Sequence, residues 1–414
     1  MKTKSAMDPN QEKTMNHSHQ AVVKPLAGAV LAALLLASGA QAADVSVYGI
    51  IDQGVKYTRD GHENSFEMNS GQINGSRFGL RGKEEISSDL KVYFNVEAGF
   101  DADTGALGDE DRFFNRNSIV GLETRWGDFK IGRTAGLVSG NSGGIFAGRV
   151  SPFGITWQEA QSTQVLSGAV GSRVDNSITY ASPRMAGFQV HLQASNGIDL
   201  DDSVRSSYKD RYAAAGVTYR AGGLRFVAAV DRMFTKNAQA PGTAGYRGDD
   251  WMTYNIGGSY DFGMVRIHAG YQYGDGVTRV GKISSSVKGA WSATNEKNTT
   301  GFDTHGFVLG ANIDVAGGEL KVATGYVKGE RDWKRFRDDG SLSYTYDQEV
   351  EGYQFALGYL YPFSNRTDFY VAGAYVHGKD VTDSINYLST GNVAAKDATK
   401  SHLKSFIAGI RHSF

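Results

Sequence analysis

The chain has 414 residues, with 53 glycines, 21 tyrosines and 21 phenylalanines but only 6 prolines and no cysteine. The lack of cysteine excludes a disulfide framework, a zinc–thiolate site, an iron–sulfur cluster and a thiol nucleophile. Lysine and arginine number 43 against 44 acidic residues. The chain therefore lacks the net positive charge that is typical of proteins that bind nucleic acid.

The N-terminal region has the pattern of an export signal. Four lysines precede an apolar run at residues 26–37, which ends in Ala40-Gln41-Ala42, a small-x-small cleavage pattern. The run is too short to span a bilayer as a helix, which takes about 20 residues. We predict a cleaved signal peptide at residues 1–42 and one mature domain at residues 43–414. The alternative is an uncleaved amphipathic or buried helix.

After this region, apolar residues recur with a period of two. Clear examples are residues 90–100, 265–273 and 353–361, in which apolar side chains alternate with mostly polar residues or glycine. Because successive side chains of a strand point to opposite faces, each segment has one apolar and one largely polar face. The segments are longer than ordinary strands and match the roughly 9–11 tilted residues that cross a membrane.

The connections between these segments alternate strictly between long and short. Seven are short, and the eight long ones are residues 58–75, 101–112, 134–172, 197–210, 235–249, 274–301, 329–349 and 378–401. Fifteen connections predict sixteen strands, with all long loops on one side and both termini on the other. This pattern is typical of an all-β, transmembrane antiparallel β-barrel of the outer-membrane type. Sixteen strands enclose more space than their side chains fill, which leaves a water channel.

Five short motifs in order resemble the Gram-negative general porins, of the trimeric sixteen-stranded type and closest to the anion-preferring branch. The motifs are residues 44–49 (DVSVYG), 75–84 (GSRFGLRGKE), 114–122 (FNRNSIVGL), 127–133 (GDFKIGR) and 406–414 (FIAGIRHSF). The resemblance covers essentially all of residues 43–414.

The resemblance implies partners as well as a fold. It implies a homotrimer in the outer membrane of a Gram-negative bacterium, among lipid and lipopolysaccharide. It also implies that the terminal Phe414 is the signal read by the barrel-assembly machinery, and that small hydrophilic solutes and anions pass through. No cofactor, metal or catalytic residue is expected.

The resemblance further implies that the third long loop folds inward and narrows the lumen. Residues 134–172 form the longest connection, and their many glycines would let the loop backbone pack closely against the barrel wall. The loop carries one acid, Glu159, and one base, Arg149. Porins that prefer cations carry acids near the tip of this loop, so this composition favours anions.

Several arginines are expected to face this loop across the lumen. The predicted constriction residues are Arg77, Arg81, Arg116, Arg133, Arg173 and Glu159. Alternation places Arg77, Arg81 and Arg173 inward, whereas Arg116 is ambiguous and joins them only by resemblance. Arg133 shares parity with outward residues, so its inward position needs a bend in the strand. Clustered guanidinium groups in a narrow aqueous ring select anions; the alternative for each is a solvated loop or rim charge.

Three matches to catalytic or metal motifs are weak. Residues 140–144 fit a nucleophile-elbow pattern, but no helix pattern follows, as that motif requires. His191 and Ser195 are about 13 Å apart along one strand, beyond hydrogen-bond reach. The acidic residues 199–202 lack the glycine and distal glutamate of a calcium loop.

Two classes of function remain open for the barrel. The favoured one is a diffusion channel with a modest anion preference. The alternative is a substrate-specific channel, receptor or adhesin. Specific sugar channels stack aromatic residues along the lumen, whereas the lumen-facing aromatics predicted here, Tyr48 and Tyr93, are scattered. A third interpretation, a soluble secreted β-protein, is disfavoured because its strands would be shorter.

Overall fold

The structure is a computed structural model that describes residues 44–61, 63–141, 143–167, 173–198, 210–235, 250–283, 301–336, 342–386 and 393–414. The predicted signal peptide lies outside these residues, as does the acidic segment 199–202. The described helices are two short 3-10 turns, Gln158–Ala160 and Ser162–Gln164. No described helix is long and apolar enough to cross a membrane.

Strands make up most of the described chain. The first nine are β1 (Ser46–Asp60), β2 (Glu63–Ser70), β3 (Arg77–Ser87), β4 (Leu90–Gly99), β5 (Asn117–Thr124), β6 (Gly127–Ala135), β7 (Arg173–Ala181), β8 (Phe188–Ser195) and β9 (Arg211–Ala221). The others are β10 (Leu224–Phe234), β11 (Trp251–Asp261), β12 (Val265–Val277), β13 (Phe302–Val315), β14 (Gly318–Phe336), β15 (Leu342–Pro362), β16 (Thr367–Asn386) and β17 (Val393–Ser413).

These strands form one closed antiparallel sheet. β1 pairs with β17 from Ile50 opposite Ser413 to Asp60 opposite Leu403. Its other edge pairs with β3 and then with β2, which are separated by residues 71–76. β2 and β3 are therefore two parts of one wall strand, and the seventeen segments make the predicted sixteen-stranded barrel. Closure leaves no unpaired edge, as a lipid environment requires.

Alternation divides the side chains between the lumen and the outer face. On β17, Phe406 and Ile410 are 50% and 51% exposed on the outside, whereas Ile407 between them is 2% exposed. On β5, Val120 is outside and 50% exposed, whereas Asn117 is buried on the inside. The alternation pattern next to Arg116 was ambiguous, and the structure shows that the even-numbered residues of β5 face out.

Three of the predicted long loops are mostly strand. Residues 58–75 contain the end of β1 and all of β2, and residues 329–349 and 378–401 contain the ends of β14 to β17. The prediction ended these strands where the apolar outer face ended. Beyond the lipid, however, a hairpin needs only cross-strand polar pairs, such as Lys396 with Asp383 at 3.1 Å.

The described part of the third long loop, residues 136–141 and 143–167, lies inside the barrel against the wall of β8 to β16. Its Leu137 N–H donates to Gln193 Oε1 on β8 at 2.7 Å, and Lys321 Nζ on β14 donates to the Pro152 carbonyl at 3.1 Å. Farther along, Trp157 packs on Tyr370 of β16 with ring centroids 5.8 Å apart. This loop and the wall behind it form the main hydrophobic clusters of the described residues.

The glycines of the third loop do not make the close contacts with the barrel wall that were predicted for them. Those of the loop pack on one another: a Cβ on Gly140 would lie 2.4 Å from the Gly148 nitrogen. Close packing against the wall instead depends on inward-facing wall glycines, such as Gly257 and Gly270, which accept loop side chains.

Candidate functional site

The candidate site consists of two groups of charged residues on the part of the wall that the third loop does not cover. Glu97 is at the centre of the first group. It lies on the inner face of β4 with a side chain only 6% exposed. Arg116 Nε is 2.6 Å from Glu97 Oε1, and Arg77 Nη1 of β3 is 3.8 Å from the same oxygen. Arg116 precedes β5, so its backbone is free to turn the side chain inward. Tyr48 O–H donates to the other carboxylate oxygen at 2.9 Å.

Asp175 on β7 is at the centre of the second group. Arg112 Nη2 is 2.7 Å from Asp175 Oδ2, and Arg133 Nη1 forms an ion pair with Oδ1. Arg133 reaches the inner face because the pairing of β6 with β7 shifts register between Gly132 and Thr134. This β-bulge is the bend that the alternation pattern required.

Arg173 joins the two groups. It lies at the start of β7 on the inner face, and its Nη1 donates to the backbone carbonyl of Arg116. Four of the five arginines thus pair with Glu97 or Asp175, and Arg112 also pairs with Asp109 at 3.7 Å. We call this group the arginine cluster: Arg77, Arg112, Arg116, Arg133 and Arg173 with Glu97 and Asp175. The cluster carries a local excess of positive charge.

Two predicted site residues lie apart from the arginine cluster. Arg81 is on the inner face of β3, four residues from Arg77, where it donates to Ser46 Oγ at 3.0 Å and lies over the Tyr48 ring. Glu159 is on the third loop, and its carboxylate accepts from Lys56 Nζ of β1 at 3.0 Å.

Four of these charged groups were not among the predicted constriction residues. They are Arg112, Glu97, Asp175 and Lys56. Alternation alone places Glu97, Asp175 and Lys56 on inner faces, so part of the signal was present. Which charge meets which depends on the register between strands and on the path of two loops, and neither can be read from one strand.

The catalytic and metal motifs do not form a site among the described residues. His191 Nε2 lies 3.0 Å from Thr218 Oγ1, whereas Ser195 O–H donates to the Asp175 carbonyl at 2.6 Å. Residues 140–144 lie in the third loop, and Ser142 is outside the described residues. No group of three or more metal-ligating side chains is found in the described part of the chain.

Phe414 completes the wall at the C-terminus. Its N–H and C=O each form a 3.1 Å hydrogen bond with the backbone of Gly49 on β1. Its side chain is 47% exposed on the outer face, in line with Phe406 and Ile410.

Comparison with known proteins agrees with this architecture. Residues 28–381 match the family described as Gram-negative porin. An outer membrane porin protein of Bordetella pertussis is 28% identical over 380 residues, covering 84% of this chain and 93% of that protein.

Solved structures have the same fold. An anion-selective porin from Comamonas acidovorans superposes with a TM-score of 0.59 at 22% identity, covering 90% of this chain and 100% of that one. The trimer form of an outer membrane protein of Vibrio cholerae gives 0.55 at 18% identity, covering 90% and 100%. The chain belongs to the Gram-negative porin family and is an outer-membrane porin, a channel for passive diffusion.

Proposed function

We propose that this porin passes small hydrophilic solutes and ions with a modest preference for anions, and that it acts as a channel without enzymatic activity. The observation that carries the ion preference is the arginine cluster, in which five guanidinium groups outnumber the carboxylates beside them, Glu97, Asp175 and Asp109, on the wall opposite the third loop. Charged rings at close quarters decide which ions enter a pore. The anion-selective porin of similar fold supports the same assignment.

Local charge should outweigh the net charge of the chain, which is −1. At physiological ionic strength, screening limits an exposed charge to about 8 Å. An ion beside the arginine cluster therefore responds to these guanidinium groups and not to distant loop acids. The acid of the third loop opposes them weakly, because Glu159 is paired with Lys56 at 3.0 Å. Arg81, nearer the short turns, adds to the positive potential.

The biological setting follows from the same proposal. The chain is exported with removal of residues 1–42, and residues 43–414 form the barrel. Its partners are two further copies in a homotrimer, the surrounding lipid and lipopolysaccharide, and the assembly machinery that recognises Phe414. The trimer form of the Vibrio cholerae protein of similar fold supports the homotrimer.

The ion preference can be tested by removing two charges from the arginine cluster. In the double variant Arg77→Gln/Arg173→Gln, the reversal potential in a potassium chloride gradient should move toward the potassium value while the pore stays open. The matched control is Lys83→Gln/Lys91→Gln, which removes two inner-face charges that are paired with Glu123 and Glu85 elsewhere on the wall. Equal shifts in both double variants would contradict the assignment.

A further inference from the structure

A second cationic group lies on the other side of the lumen and is separate from the arginine cluster. It lines a cavity of about 390 Å³ between the third loop and the ends of β6 to β12 next to the short turns. Its basic side chains are Lys130, Arg149, Arg184, Arg220, Arg225 and Arg266. We call this the basic cavity.

Most of these charges lack an acidic partner. Lys130 is 3.4 Å from Asp128, and Arg266 is 2.5 Å from Asp261. Within the described residues, no carboxylate forms an ion pair with the other four. Arg184 is held by the Gly187 carbonyl at 2.9 Å and by Gln189 Oε1 at 2.7 Å, which are neutral acceptors.

The strand register brings two of these arginines directly together. Arg220 on β9 is opposite Arg225 on β10, and both are on the inner face. The row continues through Ser259 on β11 to His268 on β12. Like charges at directly opposed positions destabilise a sheet. An anion bound between the two guanidinium groups would remove that repulsion.

The third loop places Arg149 over this row. Its Nε donates to the Gly144 carbonyl at 3.2 Å, and its own carbonyl lies 3.2 Å from His268 Nδ1. Burial, and then the positive charges of Arg220 and Arg225, lower the pKa of Arg149. Arg149, Arg220 and Arg225 thus line the same cavity, with Arg220 and Arg225 at opposed positions of the sheet.

We propose that the basic cavity is a binding site for phosphate-bearing solutes that enter the channel. The inference requires the open lumen of the proposed function but not the role assigned to the arginine cluster. A guanidinium group presents two parallel N–H donors that match phosphate oxygens. A cavity of this size has room for a small phosphorylated molecule.

Phosphate fits these side chains better than chloride or a carboxylate. A phosphate dianion carries two charges and at least three acceptor oxygens, so Arg149, Arg220 and Arg225 can each contact it. A carboxylate group carries only one charge, so it offsets less of the positive charge of the three guanidinium groups than a phosphate dianion does. Chloride has no directional acceptors to match the fork geometry.

Block of the chloride current tests this site. Pyrophosphate added to the compartment facing the short turns should reduce the current through wild-type channels in a planar bilayer, and inorganic phosphate should do so at higher concentration. In Arg220→Gln/Arg225→Gln, the half-blocking concentration of pyrophosphate should rise by about tenfold or more. In the matched control Lys83→Gln/Lys91→Gln it should stay within about twofold.

Three results would overturn the proposal. They are no block of wild-type channels by pyrophosphate, an equal loss of block in the control, and block by succinate at the same concentration as by phosphate. The reversal potential of the same channels separates this site from the proposed ion preference. Anion preference without block contradicts the phosphate site alone, whereas block with potassium preference contradicts only the role of the arginine cluster.

Discussion

At the scale of single residues, the positive charge of the lumen depends on the acids that hold it in place. Glu97 has a side chain only 6% exposed and contacts both Arg77 and Arg116. This buried carboxylate lowers the net positive charge of the arginine cluster by one, yet it fixes the direction of two guanidinium groups. Neutralising Glu97 should therefore lower the stability of the barrel and strengthen its anion preference.

The variant Glu97→Gln tests this relation. We expect a stronger anion preference, because the arginine cluster gains one net positive charge, together with a lower unfolding temperature, because the buried arginines lose their countercharge. Reversal potential and heat-induced unfolding measure the two effects. Glu123→Gln is the control, since Glu123 is about half exposed and pairs with Lys83. An unchanged reversal potential in Glu97→Gln would show that Glu97 lies outside the field sensed by ions.

How much of the site could be predicted differs from residue to residue. Alternation is sufficient for Arg77, which lies on a regular part of β3, and it also gives the inner face for Arg173, although β7 shifts register against β6 nearby. It is insufficient for Arg133, whose direction depends on a β-bulge, and for Arg112, which lies in a loop. The pairing of Glu159 with Lys56 depends on where the third loop crosses the lumen, which no local pattern encodes.

At the scale of elements, the third loop is held by the shape of the wall behind it. Gly270 on β12 faces Val150 of the loop, and an added Cβ would lie 2.8 Å from the Val150 Cβ. Gly310 on β13 accepts Pro152 in the same way, at 2.6 Å from its Cδ. Absent side chains on the wall thus make room for the loop, which explains the glycines at these inner-face positions.

The variant Gly270→Ala should therefore disturb the loop. The extra methyl group must push Val150 away, and we expect a cost of about 1–3 kcal/mol in stability and a changed conductance. Gly373→Ala is the matched control, because Gly373 faces outward and its added Cβ would be 3.6 Å from the nearest atom. Thermal unfolding and single-channel conductance check both variants. Equal effects would contradict packing by the wall glycines.

The two faces of β5 provide a second test at this scale. Val120 is outside and 50% exposed, whereas its neighbour Ile119 faces the lumen. Val120→Lys near the bilayer midplane should cost about 2–4 kcal/mol, whereas Ile119→Lys should fold and alter permeation only. Folding yield in detergent or lipid measures the difference. Similar yields for the two lysine variants would disprove the assigned faces.

At the scale of the whole molecule, closure of the sheet was the most predictable property. Period-two alternation and strict alternation of long and short connections both follow from a membrane on the outside and water on the inside. The tall hairpins at β14 to β17 were not predictable in this way, because their outer faces meet water and lose the apolar pattern. The apolar alternation therefore predicts the part of each strand that faces lipid but not the part that extends into water.

Closure also gives Phe414 a testable part in assembly. Its backbone bonds to Gly49 at 3.1 Å join the last strand to the first. We expect Phe414→Ser to lower the amount of folded barrel in the outer membrane, measured by heat-modifiable mobility at native expression levels. Phe406→Ser, on the same outer face of β17, is the control for the loss of one exposed aromatic ring. Unchanged levels of Phe414→Ser would rule out the terminal residue as an assembly signal.

We expect the arginine cluster to make this porin an anion-preferring channel. The most direct measurement is the reversal potential of the wild-type channel across a potassium chloride gradient, repeated at several ionic strengths. We predict a potential of the sign given by chloride preference, growing as salt is lowered, because the screening length rises from about 10 Å at 0.1 M to about 30 Å at 0.01 M. A potential showing that potassium is preferred over chloride would rule out this role of the arginine cluster.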